Sequence, residues 1–320
     1  MPIEFPDHNI IQTNGINMEV FEQGEGFPVI LAHGFPELAY SWRFQIPALA
    51  EAGYRVIAPN QRGYGETDKP ESIEAYDLRH LCGDMAGLMD ALDLEQAIFV
   101  GHDWGGPVVW NMPLLYPDRV AGVVGMSVAF SPRGKADPVG RLEQIFGPDH
   151  YVVHFNRKPG MADAAFAANP RRFFSNVFRR EAWTDQTPES STEGPSYDVS
   201  LMDMLNLTNP PGKPLISDEE MGVFVDAFSK GGFTGPINWY RNITRNWETS
   251  ADLPQRINVP CGMIYGKYDI VPKGGDLSEY VPNLETITLE CGHWIQQEKP
   301  DEVNAFLLDW LKRNTPSQSG

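Results

Sequence analysis

A chain of 320 residues, 42% hydrophobic and 11% aromatic, corresponds to about two domains of roughly 150 residues and can bury about three quarters of the surface its unfolded form exposes, which excludes fibrous and repeat architectures. Forty-three acidic against 25 basic residues leave a net charge of −18, a field that repels phosphate backbones and anionic membranes, so nucleic acid is not an expected partner. Cys82, Cys261 and Cys291 show neither disulfide-framework nor zinc-ligand spacing, and neither a leader pattern nor a membrane-length apolar run is visible.

We therefore expect a soluble, cytoplasmic protein, in which the sequons Asn206-Leu207-Thr208 and Asn242-Ile243-Thr244 are chance matches.

In chain order, Met18–Glu22 alternates apolar and polar residues and reads as an antiparallel edge strand. Short runs rich in β-branched residues follow at Val29–Ala32, Arg55–Ala58, Ala97–Val100, Val120–Met126, Met263–Tyr265 and Thr286–Leu289. Amphipathic segments lie at Tyr76–Leu92, Gly105–Tyr116 and Pro300–Lys312. Such alternation predicts an α/β fold with a mostly parallel sheet and helices on both faces. Between about Ser131 and Asp252 the rhythm stops, and helical spacing takes over at Met161–Ala168, Arg171–Arg179 and Asp218–Lys230. We expect residues 131–252 to be an inserted, mainly helical cap, and residues 1–130 with 253–320 to be the core domain. Thr184–Pro195 and Thr208–Pro214 are rich in Pro, Gly and polar residues and read as surface loops.

The sharpest local signal is Gly101-His102-Asp103-Trp104-Gly105-Gly106 at the end of an apolar strand. Flanking glycines let a strand turn sharply into a helix, a nucleophile elbow that lifts Asp103 to the carboxyl edge of the sheet. The competing reading makes Asp103 a helix N-cap. A carboxylate is already ionised at neutral pH; it can displace a leaving group from an sp³ carbon and form an alkyl ester. Breaking that ester requires a histidine to activate water and an oxyanion hole. Asp269 and His293 each follow a late strand, and nucleophile, acid, histidine is the chain order of α/β-hydrolases. His102 reads as a packing or hydrogen-bonding support beside the nucleophile. After an earlier strand, His33-Gly34-Phe35-Pro36 offers the Phe35 backbone N–H as a partner to that of Trp104.

These motifs, with Ser41-Trp42-Arg43, the run Arg62–Pro70, Gly235–Asn242 (GPINWYRN) and Cys291–Trp294 (CGHW), resemble the epoxide hydrolases of the α/β-hydrolase fold. The resemblance implies two cap tyrosines that hold the epoxide oxygen: Tyr240, and Tyr151 ahead of Pro159-Gly160. It further implies an epoxide and water as substrates, a vicinal diol as product and an ester on Asp103 as intermediate. No metal or organic cofactor is expected; Gly63-x-Gly65 lacks dinucleotide spacing and no P-loop is present. Haloalkane or haloacid dehalogenation would use the same Asp, His and acid. However, Phe35 lacks the side-chain donor that a halide commonly finds at that position, and Trp104 stands where fluoroacetate-type enzymes have arginine. A third reading is a non-catalytic binding protein of the same fold. Oligomeric state is left open.

Overall fold

The computed structural model describes residues 5–181 and 200–316. Its strands are β1 (His8–Thr13), β2 (Ile16–Gln23), β3 (Phe27–Ala32), β4 (Tyr54–Pro59), β5 (Ala97–His102), β6 (Val120–Met126), β7 (Arg179–Arg180), β8 (Lys213–Pro214), β9 (Cys261–Gly266) and β10 (Leu284–Leu289). Eight of them form one sheet in the order β1-β2-β4-β3-β5-β6-β9-β10, while β7 and β8 form a separate short ladder. From β4 to β10 all neighbours are parallel; β1–β2 and β2–β4 are antiparallel.

The central strands are apolar throughout because both faces are covered. Alternate residues divide between two cores: Ile30, Ala32, Phe99 and Val123 face one side, and Val29, Leu31, Ile98 and Val124 the other. In the core, the helices are α1 (Gln45–Glu51), α2 (Leu78–Ala91) and α3 (Gly105–Leu115). Between β6 and β9 the chain runs through α4 (Pro138–Phe146), α5 (Tyr151–Arg157), α6 (Met161–Ala168), α7 (Pro170–Val177), α8 (Leu201–Met204), α9 (Asp218–Gly231), α10 (Thr234–Arg241) and α11 (Ile243–Thr249). It closes with α12 (Ile295–Glu298) and α13 (Pro300–Asn314). Helices α2 and α3 pack on the first face through Leu81, Met85, Val108 and Met112. The second face receives Ile46 and Leu49 of α1 and Leu307 and Trp310 of α13.

The helices inserted after β6 gather phenylalanines that continue the core of the first sheet face; among them Phe166 and Phe173 stack with centroids 4.3 Å apart and Phe228 meets Phe233 at 4.7 Å. Phe35, just past β3, reaches into this cluster and meets Phe155 and Phe173 edge-on. Polar ties fasten the insert to the sheet edge. Buried Arg43 donates to Glu220 of α9 (2.7 Å) and to Gln297 of α12 (2.7 Å). Asp77, which caps α2, accepts from Arg245 of α11 (2.8 Å), and the Trp239 indole donates to the Arg62 carbonyl (3.0 Å).

Several expectations need correction. Met18–Glu22 lies within an antiparallel strand, β2, but not at the edge. His8–Thr13 pairs outside it, an exposed, polar segment whose backbone ladder rather than its side chains makes it a strand. The helix expected over Arg171–Arg179 ends at Val177, and Arg179 turns into the ladder with Pro214. Thr208–Pro214 is accordingly not all loop. Helix α2 begins at Leu78 rather than Tyr76 because the Asp77 side chain caps it there. The loop expected over Thr184–Pro195 lies outside the described residues.

Candidate active site

Strand β5 delivers Asp103 with φ at +48°, in the left-handed region that a non-glycine residue rarely occupies. The turn closes because its neighbours lack side chains: a Cβ on Gly101 would strike the Gly105 carbonyl, and one on Gly105 the Ala32 carbonyl. Strand therefore runs into α3 within two residues. The Phe35 N–H donates to Asp103 Oδ1 at 2.7 Å, and the backbone N–H of the adjacent Trp104 also favours the charged carboxylate. Burial pushes the Asp103 carboxyl above its ordinary value, against the opposing pull of His293, His102 and these two amides.

His293 bridges the two carboxylates, with Nε2 3.7 Å from Asp103 Oδ2 and Nδ1 2.9 Å from Asp269 Oδ1. Burial alone would lower the imidazole, but the charge and hydrogen bond of Asp269, followed by the charge of Asp103, raise it to about 9. Asp269 is pushed up by burial and pulled further down by His293 and by hydrogen bonds from Ser127 and Val271; its carboxyl ends below the usual range. Since Nδ1 donates to Asp269, Nε2 is the nitrogen that faces Asp103.

Tyr151 opens α5 and Tyr240 lies on α10, yet their rings are 5.6 Å apart between centroids. Burial and the charge of Asp103 push both hydroxyls up, Tyr240 well above the ordinary phenol value. Both are held protonated. Trp104 packs edge-on against Tyr240, with ring centroids 5.0 Å apart. A cavity of about 300 Å³ is lined by Asp103, Trp104, Tyr151 and Tyr240, with Val128 and Val271 among its apolar walls.

All seven residues expected from the sequence, Phe35, Asp103, Trp104, Tyr151, Tyr240, Asp269 and His293, are thus brought together. Residues 28–300 match the alpha/beta hydrolase fold family. The chain is 45% identical to epoxide hydrolase A of Mycobacterium tuberculosis, over 96% of this chain and 97% of that one. The chain belongs to the epoxide hydrolases of the α/β-hydrolase fold. It is 38% identical to bifunctional epoxide hydrolase 2 of Sus scrofa over 93% of this chain, and spans about half of that relative's length (54%). The crystal structure of epoxide hydrolase A from Mycobacterium thermoresistibile superposes with a TM-score of 0.87 at 40% identity, covering 96% of this chain and 98% of that one.

Two features of this hydrolase site escaped the motif reading. Ser127, buried and held at φ +67°, places Oγ 3.1 Å from His293 Nδ1 and hydrogen-bonds Asp269. Its signal was positional: β6 pairs Met126 with His102 on one side and with Ile264 on the other, so the next residue stands level with Asp103. Glu37 is the second. It is fully buried and accepts from His102 Nδ1 (2.6 Å), Gly34 N–H (2.9 Å) and Gln296 Nε2 (2.8 Å). Burial pushes Glu37 up, but the charge and hydrogen bond of His102, the Gly34 N–H and the charge of His33 outweigh it and hold the carboxyl at about 2. His102 Nε2 donates in turn to the His293 carbonyl (2.8 Å), the supporting place expected for it. Away from the site, His8 lies 3.6 Å from both Glu19 and Glu66 at the β1–β2 edge of the sheet.

Proposed function

We propose that this protein hydrolyses an epoxide to a vicinal diol through an ester on Asp103. The observation that carries this reading is one cavity lined by a carboxylate and by two tyrosines held protonated. Asp103 Oδ2 attacks a ring carbon while Oδ1 stays with the Phe35 amide; the carbon–oxygen bond of the ring breaks, and Tyr151 and Tyr240 hold the leaving oxygen, one of them giving it a proton. His293 Nε2 then takes a proton from water, whose oxygen attacks the Asp103 carboxyl carbon. Negative charge develops on Oδ1, to which the Phe35 N–H already donates at 2.7 Å. Collapse breaks the ester bond, His293 returns its proton to the departing diol oxygen, and the regenerated Asp103 carboxyl re-protonates the tyrosine. One carboxylate oxygen now comes from water. Asp269 and Ser127 hold the imidazole with Nδ1 protonated throughout.

Electrostatics favour the order of events. Part of the upward shift of His293 is the charge of Asp103. Ester formation removes that charge, so the imidazole becomes a free base more readily at the step that needs one.

Residues 131–252 act in this reading as a cap that contributes both tyrosines, over a core of 1–130 and 253–320. A cytoplasmic location without nucleic-acid partners belongs to the same proposal; no helix among the described residues is long and apolar enough to cross a membrane. Dehalogenation fits less well, because Phe35 offers no side-chain donor to a halide and packs edge-on against Tyr240 instead. The test is turnover of a styrene-type epoxide beside 1,2-dibromoethane and fluoroacetate. Diol formation without halide release is expected; halide release without epoxide turnover would overturn the reading.

A further inference from the structure

Leu78 at the start of α2, with Ile243 and Asn246 of α11, forms a wall shared by two cavities. One is the 300 Å³ cavity of Asp103 and the tyrosines. The other, of about 180 Å³, has Asn111, Arg133 and Trp247 among its lining residues and holds no group of the proposed reaction.

Asn246 has a fixed sense in this wall. The Leu78 N–H donates to its Oδ1 at 2.8 Å, and flipping the carboxamide would set an NH₂ group against that N–H. Nδ2 is therefore the free end, and no hydrogen bond among the described residues engages it. Apart from the reacting groups, the neighbouring walls of the Asp103 cavity are apolar, from Pro107, Val128, Val152 and Val271. An oriented, unengaged donor in such a lining is what fixes a ligand's pose.

Building on the epoxide reading, we propose that Asn246 Nδ2 recognises an oxygen in the arm of the substrate, an ether or carbonyl oxygen outside the epoxide ring. The remainder of the arm passes Leu78 and Ile243 into the second cavity. The substrate class is then an oxygen-bearing epoxide of the glycidyl ether or ester kind rather than an all-carbon one.

The test compares kcat/KM for phenyl glycidyl ether and 4-phenyl-1,2-epoxybutane, which differ by an oxygen in place of a methylene. Asn246→Asp keeps an oxygen for the Leu78 N–H and removes the donor; Asn246→Leu removes both. The ether-over-methylene ratio of the wild type is expected to fall roughly three- to tenfold in each variant. An unchanged ratio, with both epoxides still hydrolysed, overturns this inference and leaves the proposed function standing. No hydrolysis of either epoxide by the wild type overturns that function, and this inference with it. Ser250, which lines only the second cavity of the two, supplies an independent arm. Ser250→Trp is expected to lower kcat/KM for 4-octylphenyl glycidyl ether several-fold more than for phenyl glycidyl ether. An equal effect on the two overturns the passage of the arm into that cavity.

Discussion

Adding one methyl group at Gly34 tests the oxyanion hole by pressing its loop away from the Asp103 carboxylate, with every reacting side chain retained. A Cβ there would overlap the Asp103 Cβ and lie 2.6 Å from Asp103 Oδ1 and 2.8 Å from the His102 carbonyl. All three neighbours belong to the elbow, whose glycine contacts with Gly105 and Ala32 leave it little room to retreat. The Gly34–Phe35 loop must give way instead, by most of an ångström to restore ordinary contact. Such a shift carries the Phe35 N–H from 2.7 Å past the ~3.2 Å limit of a good hydrogen bond to Oδ1. Losing one oxyanion donor costs about 10² to 10³ in rate. In Gly34→Ala the loss should fall on ester breakdown, where charge develops on Oδ1. Single-turnover rapid-quench kinetics with an epoxide, read by intact mass, should therefore show esterified enzyme accumulating where the wild type shows little. A folded variant whose ester breaks down at the wild-type rate would refute the placement of the Phe35 amide in the oxyanion hole.

Tyr151→Phe and Tyr240→Phe each remove a donor to a developing alkoxide, and each should slow ester formation by about 10- to 100-fold, measured as the single-turnover alkylation rate. Ser127→Gly suits the +67° backbone while deleting the hydroxyl that supports Asp269; ester breakdown should fall about tenfold with no loss of thermal stability, seen by quench kinetics and calorimetry. His293 is raised to about 9 in the resting enzyme, and the Asp103 charge that contributes to this is absent from the ester. Ester breakdown should therefore rise with pH through a value below 9, lower than the resting imidazole titration seen by NMR. Coincident titrations would contradict the electrostatic argument. Asp84→Ala would strand the guanidinium of Arg62, which is 4% exposed and bound to both Asp84 oxygens; urea denaturation should show a loss of about 3 to 5 kcal/mol.

What the sequence disclosed follows from how locally each feature is encoded. The elbow was legible because strand, nucleophile and glycines are consecutive, and sterics demand those glycines wherever a strand turns so sharply. Asp269 and His293 were legible because each follows a late strand closely, though neither alone excludes an ordinary turn or loop role. Tyr151 and Tyr240 lie on helices that periodicity did not outline, and only motif likeness singled them out. Glu37 stood in the run His33–Glu37 but drew no role for a physical reason: apart from Gly34, three positions back, its partners His102, Gln296 and Gln297 lie 65, 259 and 260 positions away, so the local sequence does not report its burial. Ser127 depends likewise on the register of β6 between β5 and β9. Strand β1 was missed because pairing, not apolar side chains, defines it.

The central claim is that Asp103 becomes covalently bonded to the substrate and that His293 drives its release. Replacing His293 by Phe removes the base and keeps the nucleophile. Incubated with a styrene-type epoxide, the variant should gain the mass of one substrate, localised to the peptide carrying Asp103. A folded variant that binds the epoxide yet keeps its unmodified mass would contradict the account.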